Sequence, residues 1–124
     1  MGVEMMKTFE DCLVWQKARL LNTAVYRVSK GDAFSQDWAL VNQIRRAAGS
    51  AMHNVAEGFD AGSDAEFKRF LRYSFRSAGE VQSQLYAALD LEYIDQIQFD
   101  EIYSLAIEVK STSAGLIKYL HSPQ

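Results

Sequence analysis

Apolar residues recur at intervals of three and four along most of this 124-residue chain. That spacing places them on one face of an α-helix, whereas a half-buried β-strand requires apolar and polar residues to alternate. No stretch alternates for long enough to predict a strand. The pattern therefore predicts an all-α protein with four long helices, at about residues 9–30, 36–57, 64–92 and 96–120.

Residues typical of helix ends support this division of the chain. Residues that commonly cap helix N-termini precede the four segments: Thr8, Ser35, Ser63 and Asp95. Glu66 and Gln98 complete capping boxes with the last two, and Gly31 and Gly58 are predicted to end the first two helices. Because such short connections force neighbouring helices to run antiparallel, residues 1–124 are predicted to form one domain, an up-down-up-down four-helix bundle.

The core is predicted from the apolar face of each helix. On the first helix this face is expected to centre on Leu13, Leu20, Ala24 and Val28, with Val14, Leu21 and Val25 widening it. The second helix is expected to bury Val41, Ile44, Ala48, Ala51, Val55 and Phe59. The third is expected to bury Phe67, Phe70, Leu71, Ala78, Val81, Leu85, Ala88 and Leu89, and the fourth Ile102, Leu105, Ala106, Val109, Leu116 and Leu120.

The charge balance argues against a protein drawn to nucleic acid by its overall field. Sixteen acidic and thirteen basic side chains give a net charge of −3. The charges are unevenly spread, however, because residues 61–76 hold four basic and two acidic side chains. Residues 77–124 hold seven acidic side chains against only Lys110 and Lys118. Any anion-binding surface is therefore expected to lie in the middle of the chain.

The start of the chain carries no targeting signal that we can identify. MGVEMM lacks the apolar run of a signal peptide and the Ser or Thr at position 6 of a myristoylation signal, and Met5 and Met6 are alternative starts. No segment has the apolar length of a transmembrane helix, so a cytoplasmic protein without a membrane partner is expected. The single cysteine, Cys12, excludes an internal disulfide and is expected to pack as a small apolar residue.

The stretch RRAAGSAMHNVAEGF, residues 45–59, places Ser50, His53 and Glu57 on one helical face. A serine nucleophile also needs donors for the oxyanion, and mid-helix backbone N–H groups are already bonded to carbonyls four residues earlier. A polar stripe of Arg46, Ser50, His53 and Glu57, solvated or facing an interface, explains the pattern better than a hydrolase. No enzymatic activity is therefore expected.

Metal and cofactor chemistry also lacks a sequence motif. A di-iron bundle requires Glu-x-x-His on two helices, but the residues three positions before His53 and His121 are Ser50 and Lys118. The glycine-containing loop GFDAGS matches neither a phosphate-binding loop nor a dinucleotide-binding motif. No metal, cofactor or small-molecule substrate is expected.

A basic stripe lies on the third predicted helix. Lys68, Arg72 and Arg76 follow one another at intervals of four, on the face opposite the core. With nearby cations they form a candidate surface for the phosphates of RNA or DNA: Arg45, Arg46, Lys68, Arg69, Arg72 and Arg76. The alternative is a solvated face, or one that pairs with acidic side chains from the Glu92–Glu108 region of a neighbouring subunit.

Two features predict self-association. More aromatic residues are present than the inner faces accommodate: Trp15, Tyr26, Trp38, Tyr73, Tyr86 and Tyr103. Clusters of small residues at 47–51, 77–79 and 111–115 interrupt the helices, although a helix-interior glycine costs about 1 kcal/mol relative to alanine. Close backbone approach at these clusters, within the bundle or between subunits, is the expected reason.

The sequence resembles the four-helix bundle proteins of the 23S rRNA intervening-sequence type. The resemblance rests on the opening FEDCLVWQKA at 9–18, QIRRAA at 43–48, Ser50, Asn54, Ala56–Gly58, Gly62–Ser63, the EFxxFL pattern at 66–71, Ser77, Glu80 and Gln84–Leu85. It implies a homopentameric ring of bundles without enzymatic activity. The related accessory proteins of diversity-generating retroelements are strongly basic and bind nucleic acid, whereas this chain is acidic.

Overall fold

The computed structural model describes residues 6–121, so the alternative start at Met5 lies outside the described residues. A 3₁₀ turn at Phe9–Asp11 precedes five helices: α1 Leu13–Val28, α2 Asp32–Gln36, α3 Trp38–Phe59, α4 Asp64–Asp90 and α5 Gln96–His121. The described part of the chain contains no strand. The predicted all-α helical bundle is confirmed, with four long helices and the short α2.

The four long helices pack around one another in the order α1, α3, α4, α5. Contacts between α3 and α4 link Gly58 with Phe67 near one end and Ser50 with Ser77 further along, so these two helices run antiparallel. The same holds for α4 and α5, because Arg72 contacts His121 while Tyr86 packs on Phe99. Helices α3 and α5 consequently lie diagonally across the bundle.

The core includes most of the predicted faces of α3, α4 and α5, but the face of α1 is shifted. Five residues of the predicted faces are only half-buried: Phe59, Phe70, Leu89, Leu105 and Leu116. Leu13 and Leu20 are each 54% exposed, whereas the buried residues are Val14, Ala18, Leu21 and Val25. The two sets differ by about one residue, or roughly 100° around the helix. Because α1 carries apolar side chains on two adjacent faces, only the contacts with α3 and α5 select which face is buried. The centring on Leu13 and Leu20 was wrong.

The segment before α3 was also predicted incorrectly. Residues 32–36 form the short helix α2, whose Phe34 is fully buried, rather than an irregular loop. Asp37, and not Ser35, caps α3, because its Oδ1 accepts a hydrogen bond from the N–H of Leu40 at 3.1 Å. The Tyr93 hydroxyl donates to the other oxygen of Asp37 at 3.0 Å. This bond ties the start of α3 to the turn between α4 and α5.

The predicted caps of the last two helices are present. Ser63 Oγ accepts a hydrogen bond from the N–H of Glu66 at 3.2 Å. Asp95 Oδ1 accepts from the N–H of Gln98 at 2.8 Å, and Gln98 Oε1 accepts from the N–H of Asp95 at 2.9 Å. These bonds satisfy backbone donors that have no partner within the helix. The capping box of Asp95 and Gln98 is therefore complete as predicted. At Ser63 only the cap itself forms, because Glu66 Oε2 accepts from Arg69 instead of from the N–H of Ser63.

Gly58 does not end its helix, because α3 continues to Phe59. A Cβ atom at Gly58 would lie only 2.6 Å from Phe70 Cβ and 3.2 Å from Phe67 Cδ1. The glycine therefore allows α3 and α4 to approach closely. The glycines of the small-residue clusters are less crowded, since the nearest neighbour at Gly79 is 3.8 Å away and Gly115 has none within 4 Å.

We expect Gly58→Ala to lower the free energy of unfolding by about 1–3 kcal/mol, because the added methyl group overpacks the contact with Phe70. Gly79→Ala is the matched control, since its methyl group fits and alanine favours the helix by about 1 kcal/mol. Urea denaturation followed by circular dichroism measures both. Equal stability of Gly58→Ala and the wild-type protein would show that the close approach is not required.

Candidate functional site

Ser50 lies in a hydroxyl network between α3 and α4. Its Oγ accepts hydrogen bonds from Ser77 Oγ at 2.9 Å and from Asn54 Nδ2 at 2.8 Å. One turn away, the buried Ser74 donates to the carbonyl oxygen of Ala51 at 2.6 Å. The bonds of Ser77 and Ser74 cross-link α3 and α4, and the bond of Asn54 orients the Ser50 hydroxyl.

His53 is not positioned as a base for Ser50. Its imidazole lies beside Gly49, where a Cβ atom would be 3.8 Å from Nε2. Within residues 6–121 the hydrogen bonds of Ser50 go to Asn54 and Ser77, and none joins His53 to Ser50 or to Glu57. The Ser-His-Glu line of the sequence is therefore not assembled as a triad.

Arg45, one of the six candidate cations, is engaged within the protomer. Its Nε donates to Ser29 Oγ at 2.8 Å, and its guanidinium group lies 4.6 Å from the centroid of the Tyr26 ring. Ser29 is fully buried and donates in turn to the carbonyl oxygen of Tyr26. Arg45 thus links α3 to the C-terminal end of α1 through a hydrogen bond and a cation–π contact.

Arg69 is held along the surface of its own helix. Its guanidinium group donates to Glu66 Oε2 at 2.7 Å and to the Tyr73 hydroxyl at 3.0 Å, and it lies over the ring of Phe70. The hydrogen bond to Glu66, followed by that to Tyr73, raises the pKa of Arg69 above its ordinary value. These contacts compete with any external anion for this side chain.

Arg46 belongs to a polar groove between α3 and α4. The groove has a volume of about 470 Å³ and is lined by Gln43, Arg46, Ala47, Ser50, Ser77, Glu80 and Gln84. Among the described residues, Arg46 and Glu80 form no ion pair, and the buried Oε1 of Gln84 accepts no hydrogen bond. None of the four candidate cations of α4 lines this groove with Arg46.

The other three candidates converge with residues of α5. Between α4 and α5 lies a groove of about 510 Å³, here called the basic groove, lined by Arg72, Phe75, Arg76, Ala114, Ile117, Lys118 and His121. Arg72 Nη2 lies 3.3 Å from His121 Nε2, and Lys68 Nζ lies 3.3 Å from His121 Nδ1. Three cations and an imidazole thus line this end of the bundle together with the apolar Phe75, Ala114 and Ile117, and Lys68 adjoins the groove through His121.

Sequence analysis did not assign Lys118 and His121 to this surface. Both lie in the last turn of α5, which the antiparallel packing brings against Lys68 and Arg72. The available signal was weak, because a spacing of three residues places them on one face of α5 but does not say which helix that face meets. Of the predicted six, the structure brings together Lys68, Arg72 and Arg76.

A second exposed surface, here called the apolar groove, lies between α1 and α5. Two cavities of about 520 and 550 Å³, both lined by Gln16, form this groove. Their apolar lining includes Leu13, Leu20, Leu105, Leu116 and Tyr119, and polar side chains at the margins include Asp11, Arg19, Thr23 and Arg27. Cys12 lies at one end, and its burial raises the pKa of the thiol. The ion pair of Lys17 with Glu108, at 3.3 Å, links the two helices.

The described part of the chain lacks two further features that would indicate a function. No helix within residues 6–121 is long and apolar enough to cross a membrane. In the same part of the chain, no three His, Cys, Asp or Glu side chains lie close enough together to hold a metal ion.

Comparison with known proteins identifies the family. The model of the family described as 23S rRNA-intervening sequence protein matches residues 10–115. The chain belongs to this family. No curated protein matches it. A crystal structure of a protein with unknown function from the S23 ribosomal protein family of Bacteroides thetaiotaomicron is similar in fold, with a TM-score of 0.80 at 23% identity, covering 86% of this chain and 99% of the other.

In this member of the 23S rRNA-intervening sequence family, many residues that carry the resemblance lie where α3 meets α4. Gln43, Arg46, Ser50, Ser77, Glu80 and Gln84 all line the polar groove. Ser50 and Ser77 also join the two helices directly. This part of the family pattern therefore includes a structural role in helix pairing.

We expect Arg45→Gln to lower the free energy of unfolding by about 1–2 kcal/mol, because it removes the contacts with Ser29 and Tyr26. Arg46→Gln, next to it in the chain, is the control and should change stability by less than about 0.5 kcal/mol. Thermal and urea denaturation measure both. If the two variants are equally stable, Arg45 is not a structural residue.

Proposed function

We propose that this protein is a non-enzymatic, cytoplasmic scaffold or interaction protein that assembles into a homo-oligomeric ring of bundles. The observation that carries this proposal is the apolar groove between α1 and α5. Leu13 and Leu20 stand 54% exposed along it, although both are residues that association would bury favourably. The resemblance to the 23S rRNA intervening-sequence type supports a ring of five subunits.

The shape of the apolar groove suits a neighbouring helix. Its residues on α5 extend from Leu105 to Tyr119, a length of about 21 Å at 1.5 Å per residue. Gly115 faces open space along this length, so a second backbone can approach there. We therefore assign Gly115 of the cluster at 111–115 to the contact between subunits, whereas Ser113 of the same cluster is buried inside the protomer.

The distribution of aromatic residues gives further support. Trp15 packs edge-on against Phe9, and Tyr103 stacks on Phe99, so these two are accommodated in the protomer. Three others of the surplus aromatics, on α1 and α4, are exposed at fractions from 37% to 51%: Tyr26, Tyr73 and Tyr86. Trp38 is 77% exposed but lies on α3, diagonally across from α5, and is not expected at this interface. Exposed aromatic residues are enriched in protein interfaces.

We expect size-exclusion chromatography with light scattering to give a mass of about five times the 14.0 kDa of one chain. The double variant Leu13→Glu with Leu20→Glu should lose this assembly, because it places two charges in the apolar groove. Trp38→Glu is the matched control, since Trp38 is 77% exposed but lies on α3, diagonally across from α5.

A 14.0 kDa species of the wild-type protein at micromolar concentration would contradict the proposal. An assembly that survives the double Leu variant but not Trp38→Glu would place the interface on α3 instead. Circular dichroism spectra of the variants separate loss of assembly from loss of fold.

A second candidate function is binding of RNA or DNA through the basic groove. The observation that favours it is the addition of Lys118 and His121 to Lys68, Arg72 and Arg76. Guanidinium and ammonium groups grouped in this way suit phosphate oxygens, and a ring would repeat the groove in each subunit. Such a protein would act as an accessory to a nucleic acid, again without catalysis.

For this second function, filter binding of a single-stranded RNA and a DNA of the same sequence at 50 mM salt is the measurement. Arg72→Glu with Arg76→Glu should reduce the affinity at least about tenfold, because each phosphate contact contributes to the electrostatic term. Arg45→Gln is the control and should leave the affinity unchanged. Equal binding by the double variant and the wild-type protein would exclude the basic groove as the site.

A further inference from the structure

The hairpin of α4 and α5 separates its charges more sharply than the chain as a whole. Residues 80–108 contain seven acidic side chains and no Lys or Arg. Residues 67–79 and 109–121 contain six Lys or Arg side chains and no acid. Because the two helices run antiparallel, the basic stretches meet at one end of the hairpin and the connecting turn lies at the other.

The turn end presents apolar side chains among unpaired acids. We call it the acidic turn and define it as residues 90–101, in which Leu91 is 54% and Ile97 72% exposed. Asp90 and Glu92 are exposed and form no ion pair within the described part of the chain. Glu92 adopts a φ of 61°, in the left-handed region, which fixes the course of the backbone at the tip.

The remaining acids of the acidic turn have local partners or neighbours. Asp95 accepts the capping hydrogen bond of α5, and Asp100 accepts one from Gln96 Nε2 at 2.8 Å. Glu101 lines a cavity of about 330 Å³ together with Arg27 of α1, without an ion pair between them. Asp90 and Glu92 are therefore the acids that are most available to another molecule.

The basic groove has the complementary arrangement. Arg72, Arg76 and Lys118 surround the apolar side chains of Phe75 and Ile117. No acid occurs in either stretch of chain that lines the groove. An apolar centre ringed by cations thus lies at one end of the hairpin, and apolar side chains flanked by acids lie at the other end.

We propose that the basic groove receives the acidic turn of a second copy of this chain, so that protomers assemble head to tail. This inference rests on the proposed homo-oligomer and names its two contacting surfaces. A head-to-tail contact uses two different surfaces of each subunit, and it closes into a ring when the rotation between subunits allows. Head-to-head pairing would bring like charges together and is disfavoured.

The position of the apolar groove agrees with this arrangement. The C-terminal half of α5 lines both grooves, with Thr112, Gly115, Leu116 and Tyr119 on the side of α1 and Ala114, Ile117, Lys118 and His121 on the side of α4. A neighbouring subunit seated on this half of α5 therefore reaches both surfaces. Apolar contact contributes the affinity, and the charges fix the direction of docking.

The chain's own charges favour a protein partner over a phosphate backbone for the basic groove. The net charge is −3, so acids outnumber bases and a polyanion is repelled by most of the molecule. A nucleic acid also needs many phosphate contacts for useful affinity, whereas a protein contact adds apolar burial at Phe75 and Ile117. Nucleic-acid binding by this groove is therefore the alternative that the experiment has to distinguish from a contact between subunits.

The test is a charge-swap experiment on the full-length chain, with mass measured by light scattering across protein concentrations. The groove variant carries Arg72→Glu and Arg76→Glu, and the turn variant carries Asp90→Lys and Glu92→Lys. Each alone should need at least about tenfold more protein to assemble, because reversal places like charges in contact. A variant that carries all four substitutions should assemble again, because every reversed groove then meets a reversed turn, whether the ring has an odd or an even number of subunits.

The control variant carries Arg46→Glu and Glu57→Lys, which reverse two exposed charges on α3, and it should assemble as the wild-type protein does. Raising the salt concentration from 0.15 to 1 M should weaken wild-type assembly, because the Debye length falls from about 8 to about 3 Å. Circular dichroism confirms the fold of each variant.

The outcomes separate this inference from the proposed function on which it rests. A wild-type monomer would contradict both. If the groove variant and the turn variant assemble as the wild-type protein does, the head-to-tail contact is wrong, but the proposed homo-oligomer is still supported. Failure of the variant with all four substitutions to assemble would also contradict the head-to-tail contact, provided that its circular dichroism spectrum shows a folded protein. If the groove variant assembles normally but no longer retains RNA on filters, the basic groove is a nucleic-acid site and the inference is wrong.

Discussion

The close approach of α3 and α4 is the contact on which the remaining geometry depends. Gly58 leaves room for Phe70 at one end of this contact, and the hydroxyl bond between Ser50 and Ser77 fixes the helices further along. Ser74 adds a third link to the carbonyl oxygen of Ala51. Small residues and hydroxyl groups permit this distance, because larger side chains would separate the helices and hydroxyls without partners would be costly to bury. With α3 and α4 fixed, α1 and α5 occupy the two remaining sides.

This packing gives the bundle grooves of different chemistry. The polar groove follows α3 and α4, the basic groove follows α4 and α5, and the apolar groove follows α1 and α5. Helix α5 contributes to the last two, so its C-terminal half is the part of the surface where apolar and electrostatic contacts meet. A surface of that composition suits a protein partner, because apolar burial stabilises the complex while charge complementarity selects its orientation. The hairpin of α4 and α5 carries the matching acidic surface at its other end.

Several elements of the fold were accessible from local sequence. The caps at Ser63 and Asp95 were predicted because a capping residue and its partner lie within one turn, and no distant contact alters that geometry. Ser35 was wrongly predicted to cap α3. It lies instead within the short helix α2, whose Phe34 is buried in the core, and Asp37 caps α3. The stripe of Lys68, Arg72 and Arg76 followed from helical periodicity. Its completion by Lys118 and His121 did not, because periodicity says nothing about which helices become neighbours.

By itself the sequence determined the all-α class, the four long helices, the two clearest helix starts and the separation of charge along the chain. Each of these depends on residues within one or two turns of one another. Only the tertiary structure decided that α1 buries Val14, Leu21 and Val25 and leaves Leu13 and Leu20 at the surface. It also decided that Arg45 bonds to Ser29 inside the protomer, whereas Arg72 and Arg76 line a groove with the C-terminal end of α5. The physical reason is that the rotation of a helix about its axis is set by contacts with residues far away in the sequence, and two adjacent apolar faces satisfy the local pattern equally well.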